Sequence, residues 1–236
     1  MASYDDYTEP LGFCQVGSFV RLLDLFCGAG GAAMGYHRAG FDRIVGVDIK
    51  PQPRYPFTFV QADALSLLRR LAVDPEYLGQ RFDAIHASPP CQKYSWSAKR
   101  WTDIERVDLV PETRAALQRL GLPYVIENVI GAPLIRPVTL CGLMFGLGVL
   151  RHRLFESDGV LFAPVHPQHT GSVGAGDYVT VAGHGGNNAK GHGGRARKQA
   201  AMGIDWMNDA ELNQAIPPDY TAFIGRQLVQ ALREAA

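Results

Sequence analysis

Val20-Arg21-Leu22-Leu23-Asp24-Leu25-Phe26 runs directly into Cys27-Gly28-Ala29-Gly30-Gly31. The first seven residues read as a buried strand, and the glycine cluster as a tight turn that opens a helix over 32–39, ended by Gly40. Working outward, further strands are predicted at 43–48, with Asp48 at the tip, and at 58–60, followed by a helix over 64–71. A fourth strand falls at 82–87. Pro111 opens a helix reaching 120, since proline suits a first helical turn. Gly121-Leu122-Pro123 breaks that helix before a fifth strand at 124–128. Strands alternating with helices imply an α/β fold: a Rossmann-like, doubly wound, mostly parallel sheet with helices on both faces.

Beyond residue 140 the pattern loosens into a small irregular lobe. Short strands are expected at 153–155 and 178–181, and the stretch 183–194, nearly all Gly, His, Asn and Ala, reads as a mobile loop. Order returns in a helix over 209–215 and an amphipathic helix over 218–233. The expected organisation is an arm at 1–18, a catalytic domain at 19–156, a recognition region at 157–207 and a C-terminal helical segment at 208–236 that packs back on the catalytic domain.

Bulk properties narrow the function classes. At 236 residues the chain suits one sizeable domain. Its formal net charge is zero, so any affinity for nucleic acid must arise from local patches. Four cysteines at 14, 27, 91 and 141 show no paired spacing, which favours a reducing cytoplasm over a disulfide framework. No apolar run reaches the roughly 20 residues of a membrane span, and an acidic, polar start argues against a signal peptide.

Ser88-Pro89-Pro90-Cys91-Gln92 follows the fourth strand. Two prolines end the strand in a stiff corner, so Cys91 is presented at a strand's carboxyl end, where open α/β sheets bind ligands. Taken singly, Cys91 reads more readily as a half-buried structural cysteine. The glycine turn lets bare backbone approach a ligand at a helix N-terminus, and Asp48, 20 residues after Gly28, sits where a carboxylate grips ribose hydroxyls. That pair fits a nicotinamide enzyme nearly as well as a methyl-donor enzyme. The lack of a third phosphate-spaced glycine, and Asp63 as an acceptor for an adenine amino group, tilt it toward the methyl donor. Glu127 ends the fifth strand as a candidate general acid. A thiol adding to carbon 6 of a pyrimidine, with an acid at ring nitrogen 3, makes carbon 5 nucleophilic.

DLFCGAGG at 24–31, GVDIK at 46–50, SPPCQ at 88–92 and ENV at 127–129 resemble the ordered motifs of the DNA (cytosine-5) methyltransferases. RHRLFE at 151–156 and IPPDYTAFIG at 216–225 resemble that family's later motifs. The resemblance implies a class I methyltransferase fold using S-adenosylmethionine, with Cys91 as nucleophile, Glu127 as acid and Arg153 contacting the target base. Phe26, Gly28, Ala29, Gly30, Asp48, Ile49 and Asp63 would line the cofactor pocket, with Pro90 at its edge beside the base. It also implies duplex DNA as partner and base flipping, which the chemistry demands because a cysteine cannot reach above a stacked cytosine. A monomer in a bacterial or phage-infected cytoplasm is expected, and a cognate restriction nuclease is allowed. An RNA cytosine-5 methyltransferase and a catalytically silent DNA-binding module are the rival readings.

The segment after Cys91 interleaves cations with aromatics, including Lys93, Trp96, Lys99, Arg100 and Trp101, as a DNA-covering loop would. Gln92, Lys93, Lys99, Arg100, Arg151, Lys190, Arg195, Arg197 and Lys198 are the expected DNA contacts. The recognition region is short and basic, which points to a recognition sequence of roughly two to four base pairs. Two positions depart from the family: Val149 stands where a glutamine is usual, and Arg226 where an asparagine is common. His166, His169, His184 and His192 raise the question of metal, but no cysteine is spaced in sequence to join them, and no metal site is expected.

Overall fold

The computed structural model describes residues 19–90, 107–181 and 194–235. Seven strands form one sheet in the order β3-β2-β1-β4-β5-β7-β6. They are β1 (Arg21–Leu25), β2 (Arg43–Asp48), β3 (Thr58–Gln61), β4 (Ala84–Ala87), β5 (Tyr124–Asn128), β6 (Val138–Leu140) and β7 (Arg153–Ser157). The first five are parallel, and β7 enters antiparallel between β5 and β6. The described residues also form six α-helices: α1 (Gly31–Arg38), α2 (Ala64–Leu71), α3 (Val110–Leu120), α4 (Arg195–Met202), α5 (Asp209–Gln214) and α6 (Pro218–Ala235).

Alternation along the strands builds a core on each face. Leu22, Ala84 and Val125 join Tyr36 of α1 and Tyr220, Ile224 and Leu228 of α6 on one side. Leu23, Ile85 and Ile126 join Leu65 and Leu68 of α2 and Leu117 of α3 on the other. A strand covered on both faces is mostly apolar, which is why β1 and β4 read as near-continuous runs rather than as alternations, with Asp24 and His86 as their buried polar exceptions. Helices α1 and α6 approach closely because Gly35 and Gly225 lie at their contact. A Cβ at Gly35 would overlap the Thr221 hydroxyl and the Pro218 carbonyl. Thr221 uses the closeness to donate to the Ala32 carbonyl at 2.8 Å.

The loosely patterned lobe has a core of its own. Val149, Val179, Val181, Met202, Ile204, Met207 and Leu212 cluster against Ala29 and Ala215. Two sequence expectations are corrected here. Residues 178–181 form no strand; Val179 makes one backbone bond to the Gly148 carbonyl and otherwise serves as core. Arg195, Arg197 and Lys198 sit on helix α4 rather than in a loop. That helix buries just Ala201 and Met202, too few apolar positions to leave a period in the sequence. The three-residue β6 is likewise too short to announce itself, and it forms because β7 supplies a partner. The expected mobile loop at 183–194 falls almost wholly outside the described residues.

Candidate active site at the strand tips

The turn after β1 is built by left-handed backbone at Phe26 (φ 56°), Gly28 (φ 49°) and Gly30 (φ 83°). Its glycines have separate tasks. A Cβ at Gly30 would strike Pro56 and Tyr55, and one at Gly31 would strike the Ile216 carbonyl, so both permit packing. At Gly28, no described atom lies within 4 Å of where a Cβ would be. The Gly28 N–H donates to Asp48 at 3.1 Å, and the Lys50 N–H donates to the other carboxylate oxygen at 2.9 Å. Each oxygen keeps a lone pair for a hydroxyl donor. Ile49 beside it is 65% exposed, an apolar side chain held at the mouth of the turn.

Ala29, expected in the same pocket, is buried against the third core, and its carbonyl accepts from the Trp206 indole at 2.8 Å. Asp63 caps α2 by accepting from the Ser66 N–H at 2.8 Å, which holds its carboxyl below the usual range. Beneath the turn, Asp24 is buried with one oxygen bonded to the Tyr55 hydroxyl and the other without a partner among the described residues. Burial pushes its pKa up to about 7.

At the tips of β4 and β5 a second constellation forms. Glu127 is buried, and the Arg153 guanidinium reaches it at 3.0 Å from the start of β7. Burial raises the Glu127 pKa, opposed by Arg153, by a hydrogen bond from Ser88 and by the charge of Arg151. Asn128 donates to the Pro89 carbonyl at 2.9 Å and thereby ties the proline corner to β5. Pro90, exposed, is the last described residue before the gap in description; Cys91, Gln92, Lys93, Lys99 and Arg100 lie outside the described residues, as does Lys190.

Sequence reasoning missed a buried polar chain behind this acid. His86 Nδ1 meets the Tyr36 hydroxyl at 3.0 Å, and His86 Nε2 meets the Ser88 hydroxyl at 2.8 Å. Burial drives the His86 pKa down to about 3, so the ring is neutral. With Ser88 donating to Glu127, its oxygen accepts from His86 Nε2–H, and Nδ1 then accepts from Tyr36. A histidine inside the apolar run of β4 was the one available signal.

Arg151, expected at the DNA, holds three backbone carbonyls instead, those of Val181, Asn213 and Ala215. On α4, Arg195 and Lys198 both reach Asp209 at 3.2 Å, and Arg197 donates to the Gly176 carbonyl at 2.6 Å. Val149 is fully within the third core, which accounts for an apolar residue where the family uses glutamine. Arg226 is exposed on α6. The expectation that no cysteine joins the histidines is corrected: folding brings Cys141 to His166 and His169, with His152 as well. Sequence spacing could not show this, because the β6–β7 hairpin and the following stretch supply the ligands from separate segments. His184 and His192 lie outside the described residues.

A doubly wound sheet in this order, with a glycine turn and acids at its carboxyl edge, defines the class I methyltransferase fold. Solved structures agree: a DNA modification methyltransferase encoded within an E. coli prophage superposes with a TM-score of 0.61 at 16% identity, covering 91% of this chain and 99% of that one. The S. pombe Dnmt2 methyltransferase gives 0.60 at 12% identity, covering 90% and 99%. Residues 20–132 match the model of the C-5 cytosine-specific DNA methylases. Among curated relatives, the type II methyltransferase M.XorII of Xanthomonas oryzae is 34% identical over 137 residues, 52% of this chain and 29% of its own length. M.AquIA of Picosynechococcus is 32% identical over 123 residues, 47% and 49% respectively. The chain thus spans under half the length of these relatives.

Proposed function

We propose that this chain transfers a methyl group from S-adenosylmethionine to carbon 5 of cytosine in duplex DNA. The observation that carries the reading is the junction of β4 and β5. There Asn128 holds the corner that leads into Cys91, and Ser88 of that corner hydrogen-bonds the buried Glu127. The residues at the glycine turn fit the cofactor: open space above Gly28, the Asp48 carboxylate beside it and the exposed Ile49 match backbone, ribose and adenine in turn. The bound cofactor supplies an electrophilic methyl group.

In the proposed reaction the Cys91 thiolate bonds to carbon 6 of a flipped-out cytosine while protonated Glu127 hydrogen-bonds ring nitrogen 3. Electron density moves to carbon 5, which takes the methyl group. Loss of the carbon-5 proton then expels the thiolate and restores the ring. Arg153, whose guanidinium lies 3.0 Å from the Glu127 carboxyl, donates a hydrogen bond that orients this group, and itself faces the base. DNA is held through local cations, since net charge is zero, and the recognition sequence is short.

Cys91→Ser is expected to abolish methylation and covalent trapping on a duplex carrying 5-fluorocytosine, where fluorine replaces the carbon-5 proton and cannot leave as a cation. Trapping that persists in the variant sinks the assignment. Methyl transfer to tRNA in preference to duplex DNA would move the activity to the RNA reading.

A further inference from the structure

Away from the glycine turn, four metal-ligating side chains converge on one point: Cys141, His152, His166 and His169, whose ligand atoms all lie within 4.8 Å of one another. Cys141 Sγ lies 3.5 Å from His169 Nε2, and His152 Nε2 lies 3.0 Å from His166 Nε2. A tetrahedral zinc ion with bonds of about 2.3 Å to sulfur and about 2.0 Å to nitrogen has ligand-to-ligand edges of about 3.3–3.6 Å. The Cys141–His169 separation of 3.5 Å falls within that range, and the His152–His166 separation of 3.0 Å lies just below it.

The local chemistry suits a cation. Two imidazole nitrogens 3.0 Å apart can share one proton between them, and a third faces a sulfur. Without a metal these contacts are two separate hydrogen bonds, N–H···N and S–H···N; with one, all four donor atoms serve a single ion. Cys141 is also prepared as a ligand, because its sulfur accepts a backbone N–H at the start of the 3-10 turn Gly142–Phe145.

The site also answers what orders the chain between β7 and residue 178. No helix or strand occurs among 158–178, and Val160, Phe162 and Val165 are 78%, 71% and 93% exposed. Such a segment gains little from apolar burial. Its two histidines meet Cys141 at the end of β6 and His152 at the start of β7.

We propose that Cys141, His152, His166 and His169 bind one zinc ion in a closed, structural site that fastens 158–178 to the β6–β7 hairpin. Four protein ligands leave no open position for water, so the ion is structural rather than catalytic. Thiolate with imidazole selects zinc over the hard cations magnesium and calcium. The site borders the proposed active centre, because the Arg153 guanidinium donates to the His152 carbonyl at 2.8 Å.

The test uses the full chain without a histidine tag. Elemental analysis is expected to give one zinc per chain. Replacement by Co2+ should give the intense visible bands of tetrahedral cobalt together with a thiolate-to-cobalt charge-transfer band. A zinc chelator should lower Tm by about 5 °C or more in the parent protein and leave Tm unchanged in the doubly substituted His166→Ala/His169→Ala chain, whose altered residues are exposed and outside the core. The proposal is overturned if the protein neither retains zinc nor gains thermal stability from added Zn2+. A cobalt spectrum lacking the thiolate band, or equal zinc binding by the double variant, overturns it as well.

Discussion

Glu127 sits under opposing influences. Burial favours its neutral form, while the Arg153 charge and the Ser88 hydroxyl favour the carboxylate, and burial wins. The proposed chemistry uses the protonated form, so the acid-dependent step fades as pH rises through the elevated pKa. Ser88→Ala removes one of the lowering influences without removing a charge. It is expected to raise the Glu127 pKa further and to move the alkaline limb of the kcat/KM profile upward by about one pH unit. A limb that stays put or moves down would show that Ser88 does not act on this carboxyl. Glu127, Asp48 and the glycine turn were legible in the sequence because each sits at a strand end, where polar side chains stand out from apolar neighbours. Tyr36 and His86 were not, since a buried polar pair looks like scattered core until the fold brings its partners together at 3.0 Å.

At the scale of elements, β7 is held by more than its ladder bonds. Glu156 is buried, and Arg114 of α3 grips it twice, at 2.6 and 2.7 Å, while the Ile135 N–H donates to it at 2.6 Å. The Arg114 guanidinium also donates to the Pro133 carbonyl at 2.8 Å, so one side chain joins α3, the turn after β5 and β7. Arg114→Ala leaves a buried carboxylate with half its partners and is expected to cost about 3–5 kcal/mol, read from the urea midpoint. Adding Glu156→Gln should recover part of that loss; no recovery would locate the cost in packing instead. Strands β1 to β5 could be read from sequence because they are continuous apolar runs bounded by glycine, proline or acid. Strand β6 and helix α4 could not, because their apolar positions number too few to set a period, and their shape follows from contacts with β7 and with Val149 and Met207.

For the whole molecule, two glycines of one motif region divide stability from binding. Family similarity covers residues 20–132, yet the core face of that stretch is closed by α6, from the far end of the chain. The closure depends on Gly35, where any side chain meets Thr221 and the Pro218 backbone, whereas the space above Gly28 is open among the described residues. Gly35→Ala must push α6 away from α1 and is expected to cost about 1–3 kcal/mol and lower Tm, while the folded protein still binds S-adenosylhomocysteine with its original Kd. Gly28→Ala should lose only about 1–2 kcal/mol, the strain of a left-handed alanine, because its methyl group enters unfilled space. It should nevertheless weaken S-adenosylhomocysteine binding tenfold or more, because that space is the one assigned to the cofactor. Calorimetric titration beside thermal unfolding of both variants checks the division. If Gly28→Ala binds as tightly as the parent, the cofactor does not lie over this turn, and the fold is carrying some other ligand there.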